Sequence, residues 1–442
     1  MKKIIFILFA LVSITSQAQD KLWTLQECVE YALENNISVK QSELDLQNAE
    51  LNKKDAFGNF LPSLNARVSH SWNIGLNQDP VTFDAVNSTT RNLSGGISSG
   101  VNIYNGLRNL NQLRRSNLEI LASQYQLDNM KDNMSLTIAN AFLQILFNKE
   151  QLKVLQAQQA ITQEELQRTT DLVEAGSLPR GDLLEIEATI ASQDQQVVNA
   201  ENAIFLSKIS LAQLLLIEDY ENFDIIDTAY EVPPTSILNE SPQAIIAKAK
   251  ETRYDIKIAE NNSEIAEYNL KIAKGAIQPT LSGSYSFGTN YFRSQLFNTP
   301  EFTDQVSDNK SHGFSLNLNI PIFNGFSVRN NIKRSEIQIE NTKYLLEQAN
   351  LDLETNVYQA YNDAKGALKA YEAALKTEEA RSEAFNYSKA RYDVGLLNAF
   401  DFSQSKNRLE NAQSEVVRAK YDYIFKLKVL EFYFGIPITA LN

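Results

Sequence analysis

Side chains able to do chemistry are sparse in this chain, and their spacing argues against most of what they could do. Its one cysteine, Cys28, forbids an intramolecular disulfide, and its two histidines, His70 and His312, leave little for a His/Cys metal cluster. The histidines fall in separate β-like stretches, and Met130 and Met134 have the four-residue spacing of a helical core stripe. No glycine-rich phosphate loop, Ser/His/Asp set or acid/base carboxylate pair can be read. The reading is therefore of no enzyme, no metal, no cofactor and no catalytic residue. Asp182 and Asp401 stand out because each follows a turn signal and opens a helical run, where a carboxylate can cap exposed backbone N–H groups.

The 442 residues carry 41 Lys and Arg against 54 Asp and Glu, with 43% hydrophobic content, enough for a substantial core. Met1-Lys2-Lys3, the apolar run Ile4 to Ile14 and then Ser16-Gln17-Ala18 read as a secretory signal spanning residues 1–18. Without Lys2 and Lys3, 39 basic residues remain against 54 acidic ones, a net charge of about −15 that repels nucleic acid. No later apolar stretch is long enough for a spanning helix, whereas spanning strands would be nearly invisible to hydropathy.

Comparing the chain with itself gives the elements that must position any site. Gly58, Pro62 and Leu64 align with Gly275, Pro279 and Leu281. From Tyr104-Asn105-Gly106 against Phe323-Asn324-Gly325 the match runs on to Gly176 against Gly395 and Ile217 against Ile436. This predicts two structural repeats, 19–230 and 231–442. Each opens with a short capped helix, at Thr24-Leu25-Gln26-Glu27 and at Ser241-Pro242, and a second helix runs to the proline.

Beyond each proline the hydrophobic period becomes two, predicting strands at about 63–76, 92–104, 280–292 and 311–323. Leu64, Ala66, Val68, His70, Trp72, Ile74 and Leu76 share one face of the first strand; Asn65, Arg67, Ser69, Ser71 and Asn73 share the other. The polar faces of the four strands are Ser, Asn and Gly with almost no charge. A half-buried soluble sheet usually mixes Lys and Glu there, so the pattern favours a water-filled channel wall with lipid outside. Asn77 to Arg91 and Arg293 to Lys310 are expected to be external loops.

After each Asn-Gly the sequence turns helical. Gly106 to Glu174 has no interior Gly or Pro and would reach about 100 Å at ~1.5 Å per residue. Helical hairpins are predicted over 106–217 and 325–435, with a return helix at about Asp182 to Leu216. On it Leu183, Ile186, Ile190, Val197, Ala200, Ile204, Leu211 and Leu214 form a heptad stripe, read as coiled-coil core. Four strands cannot close a barrel, but twelve from three chains can.

These features resemble the TolC-type outer-membrane efflux family over nearly the whole mature chain. The residues that carry the resemblance are Trp23-Thr24-Leu25-Gln26-Glu27, Ala32-Leu33-Glu34-Asn35-Asn36, Pro62, Pro279, the two aromatic-Asn-Gly corners, Ala175-Gly176-Ser177-Leu178 and Tyr392-Asp393-Val394-Gly395-Leu396-Leu397. The resemblance implies an α+β membrane protein: a homotrimer with a 12-stranded outer-membrane barrel, four strands per chain, in contact with outer-membrane lipid. A long helical periplasmic tunnel continues it, with equatorial segments at about 20–36, 218–250 and 435–442. It implies a periplasmic adaptor and an inner-membrane RND or ABC pump as partners. The function implied is a passive exit duct for small toxic compounds; a duct for type I protein secretion and a periplasmic coiled-coil scaffold or adhesin are the alternatives. The gate would comprise Asp401, Tyr392, Asp182, Gln404 and Arg180. Leu397 stands where the family carries a basic latch and Gln404 where it carries a second acidic ring, with Arg180 a substitute for the latch. The adaptor-contact tips would be Gly176, Ser177 and Leu178, with Gly395, Leu396 and Leu397.

Overall fold

The structure, a computed structural model, describes residues 21–79, 81–227, 232 and 236–438. The signal at 1–18 lies outside these, as do Pro233-Pro234 and residues 439–442 of the equatorial segments. The elements in order are β1 (Leu22–Trp23), α1 (Leu25–Asn35), α2 (Ile37–Gly58), β2 (Ser63–Gln78), β3 (Ala85–Tyr104), α3 (Arg108–Glu174), α4 (Arg180–Leu215) and β4 (Asp224–Ile225). Then come α5 (Pro242–Thr252), α6 (Tyr254–Gly275), β5 (Thr280–Ser294), α7 (Phe302–Asp308), β6 (Ser311–Asn319), α8 (Ser327–Asp393) and α9 (Ala399–Phe434). The helices α1, α2, α3 and α4 are 11, 22, 67 and 36 residues long, and α5, α6, α8 and α9 repeat those lengths.

The chain divides into two compact units. The first comprises Met1–Glu43, Leu127–Ile256 and Ala349–Asn442. Its core packs Cys28, Val29 and Ala32 of α1 against Ile138, Phe142 and Ile145 of α3, with Leu211 and Leu215 of α4 and Ile424 of α9. A capping box fixes the start of α1: the Glu27 N–H donates to Thr24 Oγ1, and the Thr24 N–H donates to Glu27 Oε2 at 2.9 Å. β1 and β4 form a two-residue parallel pair beside it. Asp224 in β4 accepts from Lys149 at 2.7 Å and pairs with Lys208 at 2.9 Å.

The second unit, Leu44–Gln126 and Lys257–Gln348, holds an antiparallel sheet in the order β2-β3-β5-β6. Its apolar face is uncovered: Leu64, Val68, Ile74 and Phe314 are 76, 75, 80 and 81% exposed. On the other face serines pair across strands, Ser69 with Ser94 at 2.7 Å and Ser284 with Ser315 at 2.6 Å. The strand-to-helix corner is tight. Gly106 has φ +70°, and a Cβ on Gly275 would lie 2.5 Å from the Gly106 carbonyl oxygen.

Several expected boundaries shift. β3 begins at Ala85 rather than near 92, so much of the expected loop from Asn77 to Arg91 is strand, joined by a turn in which Asp79 Oδ1 accepts from the N–H groups of Val81 and Thr82. Its polar residues made strand look like loop. The expected loop Arg293 to Lys310 contains α7. There Gln305 accepts from the Phe292 N–H and donates to the Phe292 carbonyl, standing in for a strand partner. β6 ends at Asn319 rather than 323, because Pro321 has no N–H for the ladder.

Candidate functional site: the hairpin ends

The turns between α3 and α4 and between α8 and α9 have one geometry. Gly176 and Gly395 take φ of +72° and +75°. The Ser177 N–H donates to the Leu172 carbonyl and the Leu396 N–H to the Arg391 carbonyl, each at 2.8 Å, while each glycine N–H donates three residues back. These are Schellman closures, which satisfy carbonyls left over at a helix end and need a left-handed residue at the glycine position. Around the second turn Val394, Leu396 and Phe400 are largely exposed, giving an apolar tip.

Neither aspartate caps its helix, a correction to the sequence reading. Pro179 stands at the N-cap of α4 without a side-chain bond, and Asp182 lies inside the first turn. At α9 the cap is Asn398: its Oδ1 accepts from the Asp401 N–H at 2.8 Å, and its Nδ2 donates to Asp401 Oδ2 at 2.9 Å. The capping signal was one turn earlier than the eye-catching carboxylate.

Behind the tips, α3, α4, α8 and α9 enclose a crevice that brings Asp182 and Tyr392 together with Arg168, Asp393, Phe402 and Lys406. The Tyr392 ring stacks on Phe402 with centroids 4.5 Å apart. Burial raises its phenol pKa; the Thr169 side chain, hydrogen-bonded to it, opposes the shift, and Asp182 adds to it. Arg168 Nη1 donates to Asp393 Oδ1 at 2.6 Å. Lys406, 5% exposed, donates from Nζ to Thr162 Oγ1 and Glu165 Oε2, both at 2.7 Å. One turn along α9, desolvation raises the Glu410 pKa against the pull of Lys406.

Asp401, Gln404 and Arg180 do not line this crevice. Gln404 accepts from Arg408 at 3.0 Å, and Arg180 is exposed and has no ion pair among the described residues. The basic residues that tie the hairpin ends are Arg168 and Lys406, both missed in the sequence. Asp393 beside Tyr392 was a signal for the first pair, whereas nothing local marks Lys406 as buried. The histidines belong to aromatic clusters on the apolar sheet face: His70 lies 3.9 Å from the Trp72 ring, and His312 Nδ1 is 3.0 Å from the Tyr285 hydroxyl.

The chain thus carries two long helical hairpins and a four-stranded sheet with an uncovered apolar face. Residues 28–215 and 245–435 match the family described as outer membrane efflux protein, and the chain belongs to that family. TolC of Vibrio cholerae is 26% identical over 303 residues, covering 67% of this chain and 66% of that protein. TolC of Escherichia coli K12 is 21% identical over 440 residues, 96% of this chain and 84% of that one. The crystal structure of the outer membrane protein VceC from Vibrio cholerae superposes with a TM-score of 0.78 over 93% of this chain and 96% of its own, at 15% identity, a likeness of fold. The protein is thus an outer-membrane exit duct of an efflux system, which sets aside the scaffold reading.

Proposed function

We propose that three copies of this chain assemble into one duct: a 12-stranded barrel in the outer membrane, continued by a helical tunnel in the periplasm. The observation that carries this is a four-stranded sheet whose outer strands, β2 and β6, each have a free edge, on a chain whose helices still expose apolar heptads. Ile37, Leu44 and Leu51 on α2, Leu184, Ala191, Val198 and Phe205 on α4, and Ile337, Tyr344, Leu351 and Tyr358 on α8 recur every seven residues and lie exposed. Such stripes suit coiled-coil packing against neighbouring copies, and free strand edges suit closure by them. The pseudo-repeats 19–230 and 231–442 would then alternate around the axis, with the segments near 20–36, 218–250 and 435–442 forming an equatorial collar.

In this reading the duct passively conducts small toxic compounds delivered by an inner-membrane RND or ABC pump through a periplasmic adaptor. The adaptor would seat on the apolar tips around Gly176, Ser177 and Leu178 and around Gly395, Leu396 and Leu397. Closure would rest on the Arg168–Asp393 and Lys406–Glu165 pairs and the Tyr392–Phe402 stack beside Asp182, in place of a basic residue at Leu397. Asp401, with its carboxylate outside the crevice, is the residue assigned to an acidic ring at the mouth, with Gln404 one turn on and Arg180 in the facing hairpin.

Gly395→Asp tests the tip assignment. The substitution places a branched side chain at a φ of +75°, and export of a pump substrate from cells should fall by at least tenfold while trimers remain in the outer membrane. Undiminished export would contradict the assignment.

A further inference from the structure

Arg91 on β3 and Arg293 on β5 are direct cross-strand partners, and both are exposed. They stand on the apolar face of the sheet, in register with Trp72 of β2 and immediately beyond the Leu93–Tyr291 pair. Neither makes an ion pair or a side-chain hydrogen bond among the described residues. Directly opposed like charges destabilise a sheet, so the pair is best satisfied by an anion held between the guanidinium groups.

The level of the pair says what kind of anion. Ten residues separate Arg91 from Val101 on the same face of β3, roughly 33 Å of strand at about 3.3 Å per residue. At the usual barrel tilt of about 40° this is a height of roughly 25 Å, the thickness of the apolar band of an outer-membrane barrel. Between those positions the face is Leu93, Gly95, Ile97 and Ser99 on β3, with Tyr291, Thr289, Phe287 and Tyr285 beside them on β5. Beyond the arginines β3 presents Thr89 and Asn87, so on this strand the polar side chains begin at Arg91, while Ile74 and Leu76, their partners on β2, stay apolar. The pair lies at the end of the sheet away from the corners that lead into the helices.

We propose that Arg91 and Arg293 bind the phosphate of a phosphorylated glycolipid in the outer leaflet. This rests on the duct reading only for the orientation of the sheet in the membrane. Two guanidinium forks match phosphate oxygens bidentately, which single ammonium groups cannot. Trp72 and Tyr291 supply amphipathic rings at headgroup level, and Leu93 and Ile97 continue below as a bed for an acyl chain. Thr89 and Asn87 offer hydroxyl and amide groups to the sugar. A phospholipid shares the phosphate but offers no sugar to these two residues.

The test uses the purified, detergent-solubilised protein and native mass spectrometry with three probes: diphosphoryl lipid A, its dephosphorylated form and phosphatidylglycerol. Binding of diphosphoryl lipid A should exceed that of each of the other two by at least tenfold, and the Arg91→Gln, Arg293→Gln double variant should lose that preference while keeping its oligomeric state and export. Equal binding of the phosphorylated and dephosphorylated lipids, or full retention by the variant, would overturn the site. Equal binding of phosphatidylglycerol would overturn the assignment to a glycolipid. If the variant fails to assemble, the comparison of the lipids on the unaltered protein decides alone. None of these outcomes bears on whether the protein is a duct.

Discussion

Asp224 couples the fold to pH. Its burial alone would raise the carboxyl pKa, but hydrogen bonds from Lys149 and Lys208 and from the Ile225 N–H overcome that and lower it. A lowered folded pKa contributes stability that is complete above the ordinary carboxylate value near 4 and is lost as pH falls through the folded value. Asp224→Asn should therefore cost about 1–2 kcal/mol at neutral pH, from the lost charge-assisted bonds. It should also flatten the acid limb of the thermal unfolding curve below pH 5, which calorimetry across pH would show. At the proposed mouth the structure separates two roles that the sequence merged in Asp401. Asn398→Ala removes the cap and should cost about 1 kcal/mol while leaving ion selectivity alone. Asp401→Asn keeps the Asn398 cap and deletes the charge, so in planar bilayers it should weaken cation preference and block with stability nearly unchanged. Selectivity that follows Asn398 instead would remove Asp401 from the mouth. The family resemblance points to Tyr392 and Asp182, and the duplicated turns to the two glycines. Arg168 and Lys406 are not legible in the sequence, because their pairing joins α3 to α8 and α9, segments more than two hundred residues apart.

At the scale of elements, the corners between helix and strand depend on glycine at both sides of one close approach. Gly275→Ala would place a Cβ 2.5 Å from the Gly106 carbonyl oxygen and 2.6 Å from Arg108 Cγ. Since backbone cannot yield as a side chain can, the expected loss is roughly 1–3 kcal/mol, visible as a lower unfolding temperature. Gly366→Ala on α8 has open space and should be neutral or slightly stabilising; equal effects at the two sites would refute the corner argument. Element types and order were readable because the period of hydrophobicity changes abruptly at Pro62 and Pro279. The return-helix stripe is legible too: Ile186, Ile190, Val197 and Ile204 are partly covered within a single chain, and Leu211 is buried. Strand ends were less readable, for reasons that differ by site. β3 continues with polar residues through Asn87 to Asn92, which resemble a loop in sequence, while β6 stops at a proline whose effect on the ladder outweighed the apolar alternation through Ile320 and Ile322.

For the whole molecule, three kinds of surface are without a partner among the described residues of one chain: the apolar sheet face, the free edges of β2 and β6, and the exposed heptads on α2, α4 and α8. Lipid covers the first in the proposed assembly, and neighbouring copies cover the other two. The sequence displayed the alternating strand faces directly, but it could not separate heptads spent within the chain from those left over. On α4 the stripe through Leu183 and Ile186 packs internally, and only the folded chain shows that Leu184, Val198 and Phe205 form a second, exposed one. The stoichiometry is thus the claim on which barrel closure, tunnel and mouth all depend, and native mass spectrometry of the protein extracted from outer membranes into mild detergent measures it. A single species of three times the mature chain mass is expected, dissociated by Tyr344→Glu with Leu351→Glu on α8. A stable monomer or dimer with the same strand content would contradict it.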